Sequence, residues 1–157
     1  MKIVKKILYA ALILLVIAQF FGPDRNEGDV ASIDAFINDT NPPDDVHIIM
    51  KQACFDCHSD RTRYPWYNRI TPVNYWIADH VKHGKGEFNV SEWDAYSDKK
   101  KDHKLEELVE EVKSKHMPLD SYTWIHDDAR LSDEQIESLI SWADMARTKY
   151  GLKDRPQ

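Results

Sequence analysis

The stretch MKQACFDCHSDRTRYPWYNRITPVNYW, residues 50–76, holds the most distinctive chemistry of this chain. At its centre is CFDCH, residues 54–58, which contains both cysteines of the 157-residue sequence. Cys54 and Cys57 are three residues apart, and His58 follows the second cysteine directly. Two thiols and an imidazole at this spacing indicate a site for redox chemistry, a metal or a cofactor.

Three interpretations compete for this motif. A disulfide would suit a Cys-x-x-Cys pair, but redox-active pairs lie on βα units, and the sequence indicates none. Zinc requires four ligands, and there is no second cysteine pair. Covalent haem attachment uses two thiols on one face of a helical turn, with the next histidine reaching the iron. The motif therefore favours haem c, with thioether bonds from Cys54 and Cys57 and with His58 as the proximal iron ligand.

The charge of the chain argues against one large class of partners. The formal net charge is −6, and lysines are interleaved with glutamates, as in KLEELVEEVKSK. Binding to nucleic-acid phosphates requires a basic face. We therefore expect no nucleic-acid partner. The hydrophobic content of 42% is enough for a folded core.

Residues 1–21 differ in composition from the rest of the chain. Three lysines precede an uncharged run, residues 7–21. As a helix this run spans about 22 Å, against about 30 Å for a hydrocarbon core, so it lies between a signal peptide and a membrane-spanning helix. We favour an uncleaved anchor in the bacterial inner membrane, with cleavage after Ala18 as the alternative. In both cases the lysines stay in the cytoplasm, and the following residues are exported to the periplasm.

The rest of the chain divides into a tether, a domain and a tail. Residues 22–43 are rich in Gly, Pro, Asp and Asn, which predicts a flexible tether with little regular structure. Residues 44–151 form the folded domain, and residues 152–157 form a short tail. Within the domain, apolar residues recur at helical spacing and no segment alternates with period two. This pattern predicts an all-α fold, with a long connection between Gly84 and His103.

Four helices are indicated in the domain: one from Asp44 or Asp45, one over residues 72–84, one over residues 104–115 and one over residues 132–151. The last is the clearest, because Ser132 and Gln135 form a capping box and Gly151 ends the helix. The predicted inner faces comprise Val46, Ile49, Met50 and Ala53, then Leu105, Leu108, Val109 and Val112, and finally Ile136, Leu139, Ile140 and Ala143.

The motif and two later stretches together resemble the c-type cytochromes, and more closely a bacterial haem-binding domain family. The stretches are CFDCHSDRTRYPWY, TPVNYWIADHV and HMPLDSYTWIHDDARLSDEQIESLISWA, so the resemblance covers about residues 44–150. It implies a cytochrome c-like helical domain with one covalent haem c. It also implies one-electron transfer to and from redox partner proteins in the periplasm, without enzymatic activity. The alternatives are a haem-based sensor or peroxidase-like protein with a displaceable sixth ligand, and a haem-free binding module held by a disulfide.

The resemblance also implies a sixth iron ligand. Monohaem cytochromes c commonly carry a distal methionine on a loop before the C-terminal helix, and Met117, followed by Pro118, resembles that position. A thioether is a soft, neutral ligand that favours Fe(II) and so raises the reduction potential. His126 is the strongest rival, whereas His80 and His83 are expected in solvated segments.

Further residues are expected around the haem. By resemblance, the carbonyl oxygen of Pro72 accepts the ring N–H of the proximal histidine and tunes the iron. Haem propionates need hydrogen-bond donors, and an aromatic and basic cluster closely follows the motif, although packing at the surface is an alternative role for it. Trp76 and Trp124 are expected to wall the pocket. The cluster comprises Arg61, Arg63, Tyr64, Trp66 and Tyr67.

Overall fold

The computed structural model describes residues 2–151, so Met1 and the predicted tail, residues 152–157, lie outside the described residues. Within residues 2–151 there is no β-strand, and one isolated antiparallel bridge joins Glu27 and Arg61. The predicted all-α class is therefore confirmed. The α-helices are α1 (Lys2–Ala18), α2 (Asp34–Thr40), α3 (Asp44–Ala53), α4 (Phe55–His58), α5 (Val73–Glu87), α6 (Asp98–Lys113), α7 (Asp120–Thr123) and α8 (Asp133–Thr148), and 3-10 helices cover Val30–Ile33, Trp66–Arg69, Val90–Ala95 and Asp127–Ala129.

Helices α3, α6 and α8 form the centre of the domain. Their predicted inner faces are buried or partly buried, and α6 packs along α8. At the start of α8, Ser132 and Gln135 make the two hydrogen bonds of the predicted capping box, at 3.3 Å and 2.9 Å. Asp102 of α6 and Arg147 of α8 form an ion pair of 2.8 Å at the edge of this packing. The periodicity of the sequence therefore locates the central helices correctly.

The aromatic ring of Phe36, in α2, lies at the centre of the core and is 0% exposed. Its centroid is 5.0 Å from that of Trp93, 6.0 Å from that of Trp142 and 6.4 Å from that of Phe55. All three contacts are edge-to-face, the arrangement that aromatic quadrupoles favour. Phe55 belongs to the CFDCH motif and Trp142 to α8. One side chain of α2 therefore connects the motif with the C-terminal helix.

The prediction of a flexible tether over residues 22–43 is wrong. This segment contains a 3-10 helix and α2, and the side chains of Phe36 and Thr40 are buried. Ile33, Phe36 and Ile37 recur at helical spacing, and all three pack in the hydrophobic core. Burial of this short apolar face outweighs the polar composition that surrounds it.

The first part of the same segment lies against the residues that follow the motif. The side-chain amide of Asn26 donates to the carbonyl oxygen of Ser59 at 2.8 Å. The backbone N–H of Gly28 donates to the carbonyl oxygen of Asp60 at 2.7 Å, and a Cβ atom on Gly28 would lie 2.7 Å from the same oxygen. The chain before α2 is therefore part of the domain.

The predicted long connection between Gly84 and His103 is mostly helical. It contains the end of α5, the 3-10 helix Val90–Ala95 and the start of α6. Trp93 is 0% exposed, and its indole N–H donates to the carboxylate of Asp39 at 2.8 Å. One buried tryptophan therefore fixes a segment whose composition suggests a loop.

The predicted N-terminal hydrophobic anchor is shorter than a membrane span. Helix α1 has 17 residues, or about 25 Å of helix, against about 30 Å of hydrocarbon. After Ala18 the chain turns toward the domain, and the side chain of Gln19 donates to the carbonyl oxygens of Leu15 at 2.8 Å and Thr71 at 3.1 Å. Among the helices of residues 2–151, none is long and apolar enough to cross a membrane, so the predicted membrane-spanning anchor is not supported.

Candidate functional site

The CFDCH motif forms a single helical turn directly after α3. The carbonyl oxygen of Cys54 accepts the N–H groups of Cys57 at 3.2 Å and His58 at 3.0 Å, which closes the turn. Phe55 is 6% exposed and anchors the turn in the core. Cys54 and Cys57 are free thiols and are partly buried. The turn thus has one apolar anchor, two thiols and an imidazole.

Backbone packing brings the last part of α5 against this turn. A Cβ atom placed on Gly84 would lie 2.8 Å from the carbonyl oxygen of Cys57 and 3.1 Å from its Cβ atom. Such distances leave room only for a hydrogen atom, so the backbones of α5 and α4 are in direct contact here. The end of α5 is therefore held beside the motif.

The imidazole ring of His58 is oriented by the main chain after α5. Its Nδ1 lies 2.8 Å from the carbonyl oxygen of Phe88. A carbonyl only accepts, so Nδ1 carries the proton and Nε2 is the basic nitrogen of the ring. Burial lowers the pKa of His58, against the opposing effect of hydrogen bonds to the Phe88 and Gly84 carbonyls, and the ring is neutral at pH 7.

The prediction that the carbonyl oxygen of Pro72 accepts the ring N–H of His58 is wrong. Pro72 is the N-cap of α5, and its carbonyl oxygen accepts the N–H groups of Tyr75 at 3.1 Å and Trp76 at 3.3 Å. The motif packs against Gly84, in the last turns of the 15-residue helix. A helix of that length is about 22 Å long, so carbonyls at its end are the ones within reach of His58.

Two neighbouring cavities adjoin the motif. One has a volume of about 310 Å³ and is lined on the motif side by Cys57 and His58. The other has a volume of about 300 Å³ and is lined there by Cys54 and His58. Met117 lines both cavities. The two thiols, the imidazole and the predicted distal thioether therefore border the same region of the molecule.

Met117 lies on the loop between α6 and α7. The backbone N–H groups of His116 and Met117 both donate to the carbonyl oxygen of Glu111, at 3.0 Å and 3.2 Å, so the loop folds back over the end of α6. Lys115 has a φ of 60°, which reverses the chain before these residues. Met117 is half-buried and precedes a cis peptide bond to Pro118. This local turn directs the chain from α6 across the cavities.

A third, apolar cavity of about 60 Å³ lies beside the motif. It is lined by Cys57 and by three of the further residues expected around the haem, namely Arg63, Tyr67 and Trp76. Trp76 lines this cavity only, and neither of the two that border His58. Trp124, the other tryptophan predicted to wall the pocket, is 72% exposed and lines none of these three cavities, and Trp66 of the aromatic and basic cluster is 76% exposed.

His126, the rival distal ligand, lies at the apolar cavity. Its Nε2 is 3.2 Å from the hydroxyl oxygen of Tyr67, and its Nδ1 is 2.9 Å from the carbonyl oxygen of Tyr122. Both ring nitrogens therefore have protein partners. His126 does not line either of the cavities that His58 and Met117 share.

The predicted propionate-binding cluster is not gathered in one place. The guanidinium of Arg61 donates to the carbonyl oxygen of Gly28 at 3.0 Å, and the hydroxyl of Tyr64 accepts the N–H of Asn26 at 2.7 Å. Both side chains thus hold the N-terminal segment. The guanidinium of Arg63 is paired with Asp56 at 3.1 Å.

Three basic side chains that line the two cavities were not predicted there. His80 and His83 of α5 line the cavity next to Cys57, and Lys104 of α6 lines the cavity next to Cys54. Lys104 is ion-paired with Glu107 at 2.6 Å. His80, His83 and Gly84 are spaced i, i+3 and i+4, which places them on the helix face that meets the motif. This spacing is the sequence signal for their place at the cavity, while the side chain of His83 is 73% exposed, in agreement with the expectation of a solvated histidine.

The thiols differ from those of a dithiol redox centre. Burial, followed by electrostatic repulsion from Cys57, raises the pKa of Cys54 to about 12. Burial, followed by the negative charge of Asp56, raises the pKa of Cys57 to about 11. Both thiols are therefore protonated at neutral pH. Redox-active Cys-x-x-Cys pairs instead contain a thiol whose pKa is lowered.

An imidazole with a fixed tautomer, a thioether and two thiols around one region form a donor set that suits haem iron and its attachment. The cavities and the close contact at Gly84 give this set a preformed surrounding. The fold and the site thus define a helical haem-binding protein. The chain matches the haem-binding domain family over residues 13–145, and it belongs to that family. Comparisons with curated proteins and with solved structures found no match.

Proposed function

We propose that this haem-binding domain carries one haem c and acts as a one-electron carrier. In this proposal Cys54 and Cys57 form the thioether bonds, His58 is the proximal iron ligand, and Met117 is the distal ligand. The observation that carries the proposal is that His58 and Met117 line the same two cavities, with one cysteine at each. When bound, haem supplies the Fe(II)/Fe(III) couple.

In this function, the role of the protein is to hold the two iron ligands in place. The bond from His58 Nδ1 to the Phe88 carbonyl fixes the imidazole and raises its basicity toward a metal. A thioether ligand favours the reduced iron, which supports a raised potential. Electron transfer requires no catalytic acid, base or nucleophile, and the proposal assigns none.

The partners in this proposal are redox proteins outside the cytoplasm. Glu107, Glu110 and Glu111 line the cavity next to Cys54, and the chain has a net charge of −6. An acidic border of this kind favours partners that present a basic patch, mainly through the rate of association. Haem is attached to such motifs on the outer side of the energy-conserving membrane, which supports an exported domain. Protection of the tagged full chain from protease in intact spheroplasts would contradict this location.

A second candidate is a haem sensor or a peroxidase-like protein, in which the sixth ligand is displaced. The observation that favours it is the position of Met117 on a loop whose preceding residues, 114–116, are exposed. Few buried contacts hold such a loop, so it opens more readily than a helix. The behaviour of the ferric protein toward added ligands separates the two candidates.

The first experiment tests covalent attachment. We expect haem to stay with the full chain on a denaturing gel, and the pyridine haemochrome to report two thioether bonds. Replacing Cys54 and Cys57 by alanine together should abolish this covalent haem stain. A wild-type chain that loses its haem on the gel, or that remains colourless, would overturn the proposal.

The second experiment tests the distal ligand with two matched variants. Met117→Ala should abolish the far-red sulfur-to-iron absorption of the ferric protein and produce a high-spin spectrum that responds to cyanide. Met145→Ala, at a methionine of α8 that is 69% exposed, should retain the wild-type spectrum. A wild-type protein that is already high-spin and binds cyanide at once would favour the sensor or enzyme instead.

A further inference from the structure

The carboxylate of Asp56, between the two cysteines of the motif, is held by residues outside the motif. Its side chain is 8% exposed. Oδ1 accepts the backbone N–H of Arg63 at 2.9 Å and its Nε at 3.1 Å, and Oδ2 accepts Nη2 of Arg63 at 3.1 Å. Oδ2 also accepts the hydroxyl of Tyr122 at 2.7 Å. A buried carboxylate with this many charge-assisted hydrogen bonds is a strong attachment point.

Tyr122 connects this attachment point with the loop that carries Met117. It lies in α7, five positions after Met117, and its N–H donates to the carbonyl oxygen of Leu119 at 2.9 Å. Its side chain lines the cavity that Met117 also lines. Its ring stacks on that of His126, with centroids 4.1 Å apart and planes inclined by 17°. The hydroxyl of Tyr122 is thus presented to Asp56 by a ring that is itself held in place.

The segment around Met117 has little burial of its own. None of the residues of α7 is buried, and residues 114–116 before Met117 are exposed. Because burial does not fix this segment, a buried hydrogen bond to a charged group has a large share in fixing it. The bond between Tyr122 and Asp56 joins the distal loop directly to the helical turn that carries the cysteines.

We propose that Asp56, Arg63 and Tyr122 form a latch that positions Met117 over the haem site by fastening its loop to the attachment motif. This inference rests on the proposed function, in which Met117 is the distal ligand. Arg63 orients the carboxylate of Asp56, and Tyr122 transmits that position to the loop. Tyr122 is a positioning residue here, since it acts on the iron through Met117.

The test compares two tyrosine variants of the full-length protein with its haem attached. Tyr122→Phe removes the hydroxyl that binds Asp56. Tyr150→Phe is the matched control, because the hydroxyl of Tyr150 also donates to a partly buried carboxylate, that of Asp39 at 3.1 Å, and neither residue lines the two cavities that border His58. Both variants lose one hydrogen bond to a carboxylate, so both should be less stable than the wild type.

Only Tyr122→Phe should change the absorption of the haem iron and its rate of cyanide binding. We expect weaker far-red sulfur-to-iron absorption and an association rate of cyanide with the ferric protein that is about tenfold higher, since the loop opens more often. Amide hydrogens of residues 117–123 should exchange faster, while those of α8 keep the wild-type rate. Asp56→Asn, which keeps the shape but removes the charge, should act in the same direction.

The outcomes separate this inference from the proposed function. If Met117→Ala removes the far-red absorption but Tyr122→Phe leaves absorption, cyanide binding and exchange unchanged, the latch is overturned and the ligand stands. Equal changes in Tyr122→Phe and Tyr150→Phe would also overturn the latch, because a general loss of stability would explain them. If Met117→Ala keeps the wild-type spectrum, both the ligand and the latch are overturned.

Discussion

At the scale of single residues, Gly84 decides how closely α5 approaches the motif. The backbone of Cys57 occupies the space in which a side chain on residue 84 would begin, at 2.8 Å from its oxygen. Real Cβ atoms do not approach a carbonyl oxygen so closely, so any larger residue must displace one of the two helices. The same helix end supplies the Phe88 carbonyl to His58.

Gly84→Ala is therefore expected to disturb the site. Overpacking of this kind typically costs about 1–3 kcal/mol of the free energy of unfolding. Displacement of α5 should also shift the Soret and far-red absorption of the haem protein. Gly86→Ala is the control, because a Cβ there meets no atom within 4 Å, and alanine inside a helix should stabilise by about 0.5–1 kcal/mol. Urea unfolding and absorption spectra that are the same for both variants would contradict this contact.

The residue types of the motif are enough to predict haem binding, whereas the hydrogen-bond partners of these residues depend on the fold. The spacing of Cys54, Cys57 and His58 is a local pattern, and it indicates haem without knowledge of the tertiary structure. The acceptor for the His58 ring is a main-chain atom of Phe88, whose position depends on where α5 ends and how it packs. Nothing in the local sequence distinguishes that carbonyl from the one of Pro72. The ligand role of Met117 stays a prediction, supported by its place at the cavities.

At the scale of elements, α2 is the helix that the amino-acid composition of residues 22–43 does not predict. Prolines, glycines and acidic residues surround a short apolar face, and the few residues of this face are enough to form and bury a helix of 7 residues. In contrast, α6 and α8 repeat their apolar positions over several turns, so periodicity finds them readily. Short helices carry too few repeats for the same test, and tertiary burial decides them.

Phe36→Ala measures how much α2 contributes to the domain. Removing a fully buried phenylalanine typically costs about 3–5 kcal/mol of the free energy of unfolding, because a cavity remains. Val30→Ala, at a position that is 63% exposed in the same segment, should change stability by less than about 0.5 kcal/mol. Chemical denaturation of both variants gives the comparison. Equal, small effects would restore the description of residues 22–43 as a tether.

At the scale of the whole molecule, Asp39 joins distant parts of the chain. Its carboxylate accepts hydrogen bonds from Trp93 at 2.8 Å and Lys101 at 2.9 Å. It also accepts the hydroxyl of Tyr150 at 3.1 Å and pairs with Lys149. Burial alone would raise the pKa of Asp39, but the hydrogen bonds from Lys149, Lys101, Trp93 and Tyr150 together hold it well below its usual range.

This shift gives stability a defined dependence on pH. The folded-state pKa of Asp39 is below the unfolded value of about 3.9, so its contribution is complete above about pH 4 and is lost as the pH falls toward the folded-state pKa. Asp39→Asn should therefore be less stable than the wild type at pH 7, and the difference should shrink in acid. Thermal unfolding between pH 7 and pH 2 measures it.

The control is Asp133→Asn, whose carboxylate pairs with Lys115 at 2.7 Å in solvent. The pKa of Asp133 is lowered by this partner, but exposed pairs are screened and contribute little. Its pH dependence should therefore be much smaller. A difference between wild type and Asp39→Asn that stays constant with pH would contradict the assignment.

The hydrogen bond from His58 to Phe88 has a consequence for mutational scanning. Its acceptor is a main-chain oxygen, so no exchange of the Phe88 side chain can delete it. Substitutions at residue 88 would therefore leave this contact undetected, although it sets the orientation of the His58 ring. Its influence would surface only indirectly, at sites such as Gly84 that move the end of the helix. Replacing the amide that joins residues 88 and 89 with an ester, by chemical synthesis, would weaken the acceptor itself and expose its effect on the bound haem.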